Sequence, residues 1–126
     1  MIKKAVNSDG APSAVGPYSH SVLAGDTLYV SGQLGLDPAT GKLADGVAAQ
    51  AKQGLTNLGA ILKTSGLDYK DVVKTTVFLK DINDFATINK IYGEYFTELL
   101  PARSCIEVAN LPAGGLFEIE AVAIKD

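Results

Sequence analysis

Apolar and polar positions change period along the chain, and each change marks an element. Residues 21–34, SVLAGDTLYVSGQL, carry β-branched and aromatic residues on both sides of Gly25-Asp26, which predicts two short strands around a tight turn. A second turn signal follows in DPATGK, 37–42. From 47 to 65 the period lengthens. Val47, Ala51, Leu55, Leu58 and Leu62 recur at helical spacing and predict one apolar stripe. Asp45 is the expected N-cap, and Gly66 the expected glycine just past the last turn. VVKTTVFLK, 72–80, alternates again and reads as a strand. Residues 83–99 return to helix, with Phe85, Ile88, Ile91, Tyr92, Tyr95, Phe96 and Leu99 forming a wide apolar face that Pro101 ends. PARSCIEVA, 101–109, and LFEIEAVAI, 116–124, are the last strands, and MIKKAVN is a candidate for one more at the start.

Two helices and about six strands in this order predict an α+β two-layer sandwich, a mixed sheet with both helices on one face, within a single domain spanning residues 1–126. The other sheet face is left to water or to another subunit. Period-2 alternation puts Arg103, Cys105 and Glu107 on one side of their strand, and Glu118 with Glu120 on one side of theirs. These side chains are expected together on the open face. On the strand at 72–80, both Thr75, Val77, Leu79 and the opposite set Lys74, Thr76, Phe78 remain open as the helix-facing side.

Composition narrows the chemistry. With 47% apolar and 20% charged residues the chain folds rather than staying disordered, and a net charge of −3 is a poor start for gripping nucleic acid. One cysteine permits no internal disulfide, which points to a reducing cytoplasm. The two N-terminal lysines precede no apolar signal segment, and no apolar run approaches the ~18 residues that span a bilayer. His20 and Cys105 cannot supply a zinc site, and GPYSHSVLAG and LPAGGLF lack the spacing and lysine of a phosphate loop. A site free of metal and cofactor is expected.

Each candidate has two readings. Arg103 is either a solvated edge charge or a planar fork for a carboxylate or phosphate. Glu118 and Glu120 are either solvated, or one of them is an acid/base group raised by burial. Cys105 reads as a small buried hydrophobe whose backbone N–H is the more useful donor. Asn89 borders the second helical stripe as a half-exposed polar residue or a pocket cap. Tyr18 follows a Gly-Pro turn and either packs on the sheet edge or lines a pocket, while His20 reads as a surface strand residue. Ser31-Gly32 inside a strand marks a bulge or a close approach to the backbone.

Together, GPYSHSV, YVSGQLGLDPATGK, VVKTTVFLKDINDFATINKIYGEYF and PARSCIEVANLPAGGLFEIEAVAI resemble the RidA (YjgF) family over essentially the whole chain. The resemblance implies a chorismate-mutase-like fold, a homotrimer with sites between subunits, and cofactor-free hydrolysis of enamine and imine intermediates to 2-keto acids and ammonia. It implies that Arg103 grips the substrate carboxylate and Glu118 activates water. Backbone groups of Arg103, Gly32 and Cys105 then hold water or substrate, Tyr18 and Asn89 line the pocket, and Ser31 sits beside it. His20 stands where glutamine is common, and Phe117 where an aliphatic residue usually precedes the glutamate. An RNA-cleaving translation inhibitor and a non-catalytic keto-acid binder or holdase are the competing functions.

Overall fold

The computed structural model describes residues 2–126. Its elements are β1 (Lys3–Val6), β2 (Ser21–Ala24), β3 (Thr27–Leu34), α1 (Val47–Thr64), β4 (Val72–Leu79), α2 (Phe85–Tyr95), β5 (Ala102–Glu107) and β6 (Phe117–Ile124). The six strands form one sheet in the order β1-β2-β3-β6-β4-β5. Every pairing is antiparallel except β4–β5. That parallel pair needs a crossover, and α2 supplies it. Both helices cover the same sheet face. Leu55, Leu58, Ile61 and Leu62 of α1 are fully buried together with Val77, Leu79, Phe117 and Ile119 of the central strands. Burial of each such side chain contributes about 1.5–3 kcal/mol. Phe117 belongs to this core: a Cβ at Gly54 would lie 2.8 Å from its ring, so the glycine lets α1 settle directly onto it. Among the described residues no helix is long and apolar enough to cross a membrane.

The helix ends depart from expectation in instructive ways. The cap of α1 is Gly46, not Asp45, because the chain enters the helix through φ 85, a left-handed conformation that glycine adopts without penalty. Its C-terminus closes as expected: Gly66, at φ 76, donates to the Lys63 carbonyl, and Leu67 to that of Leu62, the paired bonds of a Schellman motif. The second helix is shorter than 83–99. A 3-10 turn, Ile82–Asp84, precedes it, capped by Asp81 accepting from the Asn83 N–H. Phe96 leaves the helix in extended conformation and still buries its ring, 4.5 Å from Tyr92 and 5.5 Å from Tyr69. The apolar periodicity thus continues by a turn rather than by helix. Leu99 is exposed, and Pro101 stops nothing.

Strand register corrects the expected faces. Thr75, Val77 and Leu79 pair with Arg103, Cys105 and Glu107, and Val77 and Leu79 also pair with buried Ile119 and Phe117. Arg103, Cys105 and Glu107 therefore lie on the helix side. Glu118 and Glu120 pair with Phe78 and Thr76 and do lie on the open side. Within one chain, the arginine and the glutamates are on opposite faces of the sheet.

Candidate active site

On the open face a cleft of about 430 Å³ forms beside the irregularity in β3. The ladder between β3 and β6 shifts register between Val30 and Gln33, so Ser31-Gly32 marks a bulge, as a glycine inside a strand suggests. The glycine also has a steric purpose: a Cβ there would collide with the Glu118 carboxyl. The acid thus rests against bare backbone, walled by Tyr18, His20, Leu36 and Pro112. Burial raises the Glu118 pKa above the ordinary carboxylate value, and the neighbouring Glu120 raises it further.

The cleft wall is held by hydrogen bonds rather than by a core. The Ser31 hydroxyl donates to the Ser19 carbonyl at 2.6 Å and its N–H to the His20 carbonyl at 2.9 Å, so Ser31 anchors the wall while its hydroxyl oxygen keeps acceptor capacity. His20 is not a surface strand residue. It is 5% exposed and precedes β2, with Nδ1 accepting from the Ser8 N–H at 3.0 Å and Nε2 donating to the Pro12 carbonyl at 2.7 Å. Those bonds select the Nε2–H tautomer and tie the segment carrying Pro12, Ser13 and Val15 to the turn before β2. Tyr18 is half-exposed at the cleft edge, its hydroxyl accepting from the Val15 N–H. From α1, buried Asn57 donates to the carbonyls of Leu34 and Leu36, and Gln50 accepts from the Leu116 N–H, fixing the floor.

Arg103 occupies a different setting, under α2. Its guanidinium carbon lies 4.8 Å from the Tyr92 ring centroid and 5.5 Å from that of Phe85. Asn89 is half-buried on the same helix, one turn from each ring. Cys105 packs against the core; burial pushes its thiol pKa up while Arg103 opposes the rise. A thiol held protonated is a poor nucleophile.

The structure therefore brings Tyr18, Ser31, Gly32 and Glu118 together in one cleft and places Arg103, Cys105 and Asn89 in a second group on the other face. Sequence reasoning missed His20, Asn57 and Gln50 as builders of the cleft. A signal existed for the last two: polar residues two turns apart along the buried side of α1. Nothing in GPYSHS distinguishes a buried, doubly bonded imidazole from an exposed one. Among the described residues no cluster of His, Cys, Asp or Glu is placed to hold a metal ion.

Residues 8–125 match the model of the family described as Endoribonuclease L-PSP. A Bos taurus protein named 2-iminobutanoate/2-iminopropanoate deaminase is 53% identical over 126 residues, covering 99% of this chain and 92% of the relative. The YjgF gene product of E. coli superposes with a TM-score of 0.94 at 47% identity, over 98% of this chain and 99% of that one. E. coli TdcF with bound serine gives 0.94 at 41% identity, over 98% and 99%.

Proposed function

The chain belongs to the Endoribonuclease L-PSP family, where the RidA (YjgF) resemblance pointed, and from that membership we propose that it is a 2-iminobutanoate/2-iminopropanoate deaminase. It hydrolyses enamine and imine intermediates, such as those derived from 2-aminoacrylate, to 2-keto acids and ammonia. The observation that carries this reading is Glu118, a glutamate of raised pKa seated on the backbone of Gly32 inside a cleft. A raised carboxyl is closer in basicity to the proton it must take from water, and such help is worth about 10²–10⁴-fold.

The chemistry asks little more. An imine carbon is already electrophilic, so the protein's task is to aim a water and hold the substrate. Glu118 accepts a proton as the water oxygen bonds to that carbon. Glu118 returns that proton to the carbinolamine nitrogen, the carbon–nitrogen bond breaks to release ammonia, and the hydroxyl gives its proton back to Glu118 as the carbon–oxygen bond becomes the keto group. Arg103 holds the substrate carboxylate through its fork. That Arg103 and Glu118 lie on opposite faces of the sheet supports a site completed between copies, with Glu118 of one subunit facing the partner subunit's Arg103. Asn89 and the backbone of Arg103 and Cys105 line that second wall, opposite Tyr18, Ser31 and Gly32. A homotrimer also gives the open sheet face, where Tyr29 is 54% and Ile106 45% exposed, something to pack against. A single free cysteine, which permits no internal disulfide, supports a reducing cytoplasm as the place of the reaction.

The family's nuclease description fits the cleft less well. Its only histidine has both ring nitrogens engaged, and its acidic pair, Glu118 and Glu120, repels phosphate. The test is a coupled assay in which serine or threonine dehydratase releases imines and keto-acid formation is followed. Acceleration beyond the spontaneous rate is expected. Binding of 2-oxobutanoate without acceleration supports a carrier instead, and cleavage of RNA without acceleration supports the nuclease.

A further inference from the structure

Among the described residues no carboxylate partners Arg103. Its contacts are aromatic faces, and among the described residues no hydrogen bond occupies its fork. The faces are themselves fixed. Tyr92 is 8% exposed, and its hydroxyl shares a 2.8 Å hydrogen bond with Thr75, a fully buried residue of β4. Thr75 is also the residue that pairs with Arg103 across the β4–β5 ladder. Tyr92 is therefore locked to the strand neighbour of the arginine it supports. Phe85, seven residues earlier on α2, presents a second face at the rim, 40% exposed.

We propose that Tyr92, with Phe85, is the positioning platform of the anion anchor: it orients the Arg103 guanidinium by cation–π contact and leaves both charge and donors to the ligand carboxylate. This rests on the deaminase reading for the identity of that ligand. The physical argument is one of competition. An arginine oriented by an acidic side chain has its fork filled and its charge offset, so an incoming carboxylate must displace a partner. An aromatic face attracts the cation through its quadrupole, engages no N–H donor and carries no net charge to repel an anion. The Thr75 bond keeps the tyrosine from tilting away when the ligand arrives. In this arrangement Tyr92 acts through Arg103 and touches no reacting atom.

The test compares a charged and a neutral probe of one shape. 2-Oxobutanoate and 2-oxobutanamide are titrated against the wild-type protein, Tyr92→Leu, Tyr92→Phe and Phe85→Leu, alongside imine hydrolysis. For Tyr92→Leu, 2-oxobutanoate affinity is expected to fall about 3- to 30-fold, the span of a cation–π contact from exposed to desolvated, while 2-oxobutanamide affinity holds. Hydrolysis then loses mainly through a higher KM, since a carboxylate grip acts on substrate and transition state alike. Tyr92→Phe keeps the face and stays within about threefold. Phe85→Leu, at a more exposed ring, loses about twofold to fivefold and keeps the question open to measurement should Tyr92→Leu not fold. Unchanged 2-oxobutanoate affinity in both leucine variants overturns the platform, as does an equal loss for both probes. A wild-type protein that binds 2-oxobutanoate but hydrolyses no imine overturns the deaminase reading and leaves the probe comparison to judge the platform. Wild-type protein that binds neither probe overturns the anchor and its platform together.

Discussion

The two faces of the sheet solve the problem of holding a charged group in opposite ways. On the open face, Glu118 is held by what is missing: a glycine without a side chain, and a wall hung on the hydrogen bonds of Ser31 and His20. On the helix face, Arg103 is held by what is present, two aromatic rings of α2. The acid is partly dehydrated, which raises its pKa and prepares it for proton transfer. The cation keeps its charge and donors available. A base gains by being pushed toward neutrality, whereas an anchor gains by staying charged, so each environment suits the task proposed for it.

Breaking the anchor gives the largest expected effect. Arg103→Ala should lower kcat/KM for imine hydrolysis by about 10²–10⁴-fold, the worth of a bidentate charged hydrogen bond, with an unchanged circular dichroism spectrum. Near-normal rates would remove the anchor from the account. Glu118→Gln should keep 2-oxobutanoate affinity within a few-fold yet lower kcat about 10²–10⁴-fold, and steady-state kinetics separates the two constants.

Smaller effects sharpen the contrast between the faces. Gly32→Ala pushes against the carboxyl and should cost kcat roughly 10- to 100-fold while melting within a few degrees of wild type, because only the glutamate must move. An alanine variant with full turnover shows that the acid tolerates displacement. His20→Ala removes the tie between Ser8 and Pro12, so KM should rise about threefold to tenfold, with His20→Gln restoring most of it. The smallest effect has a definite sign. A glutamate whose pKa is raised on folding favours the fold below its ordinary value of 4.5, and that contribution is lost as pH rises through the raised value. Glu118→Gln should therefore melt slightly higher than wild type at pH 8, with the gap closing toward pH 4, since half-exposure screens much of the penalty. A lower melting point at pH 8 would contradict the dehydration argument.

Much of the fold was legible because the hydrophobic period changes cleanly along the chain. The stripe from Val47 to Leu62, the turn at Gly25-Asp26 and the glycine after Ser65 all act locally, and locally determined features survive folding unchanged. The end of α2 was not legible, because Phe96 buries its ring by leaving the helix, a choice set by Tyr69 from a distant turn. The side of β5 was not legible either. Alternation gives two faces but not which one meets the helices, and an arginine resting on aromatic rings lies where a charged residue is least expected. The cleft around Gly32 was foreshadowed by a glycine inside a strand. Its wall depended on His20, whose burial follows from the path of residues 7–15 and not from its neighbours in sequence.

The central claim is that one copy's acid works with another copy's cation, and mixing two inactive parents tests it most directly. Arg103→Ala and Glu118→Gln proteins, dissociated together and reassembled in equal amounts, should recover activity at about a quarter of the sites, the chance that each position comes from the intact parent. Recovery near that level supports a shared site. A mixture as inactive as either parent, in assemblies shown by light scattering to have exchanged subunits, would contradict it.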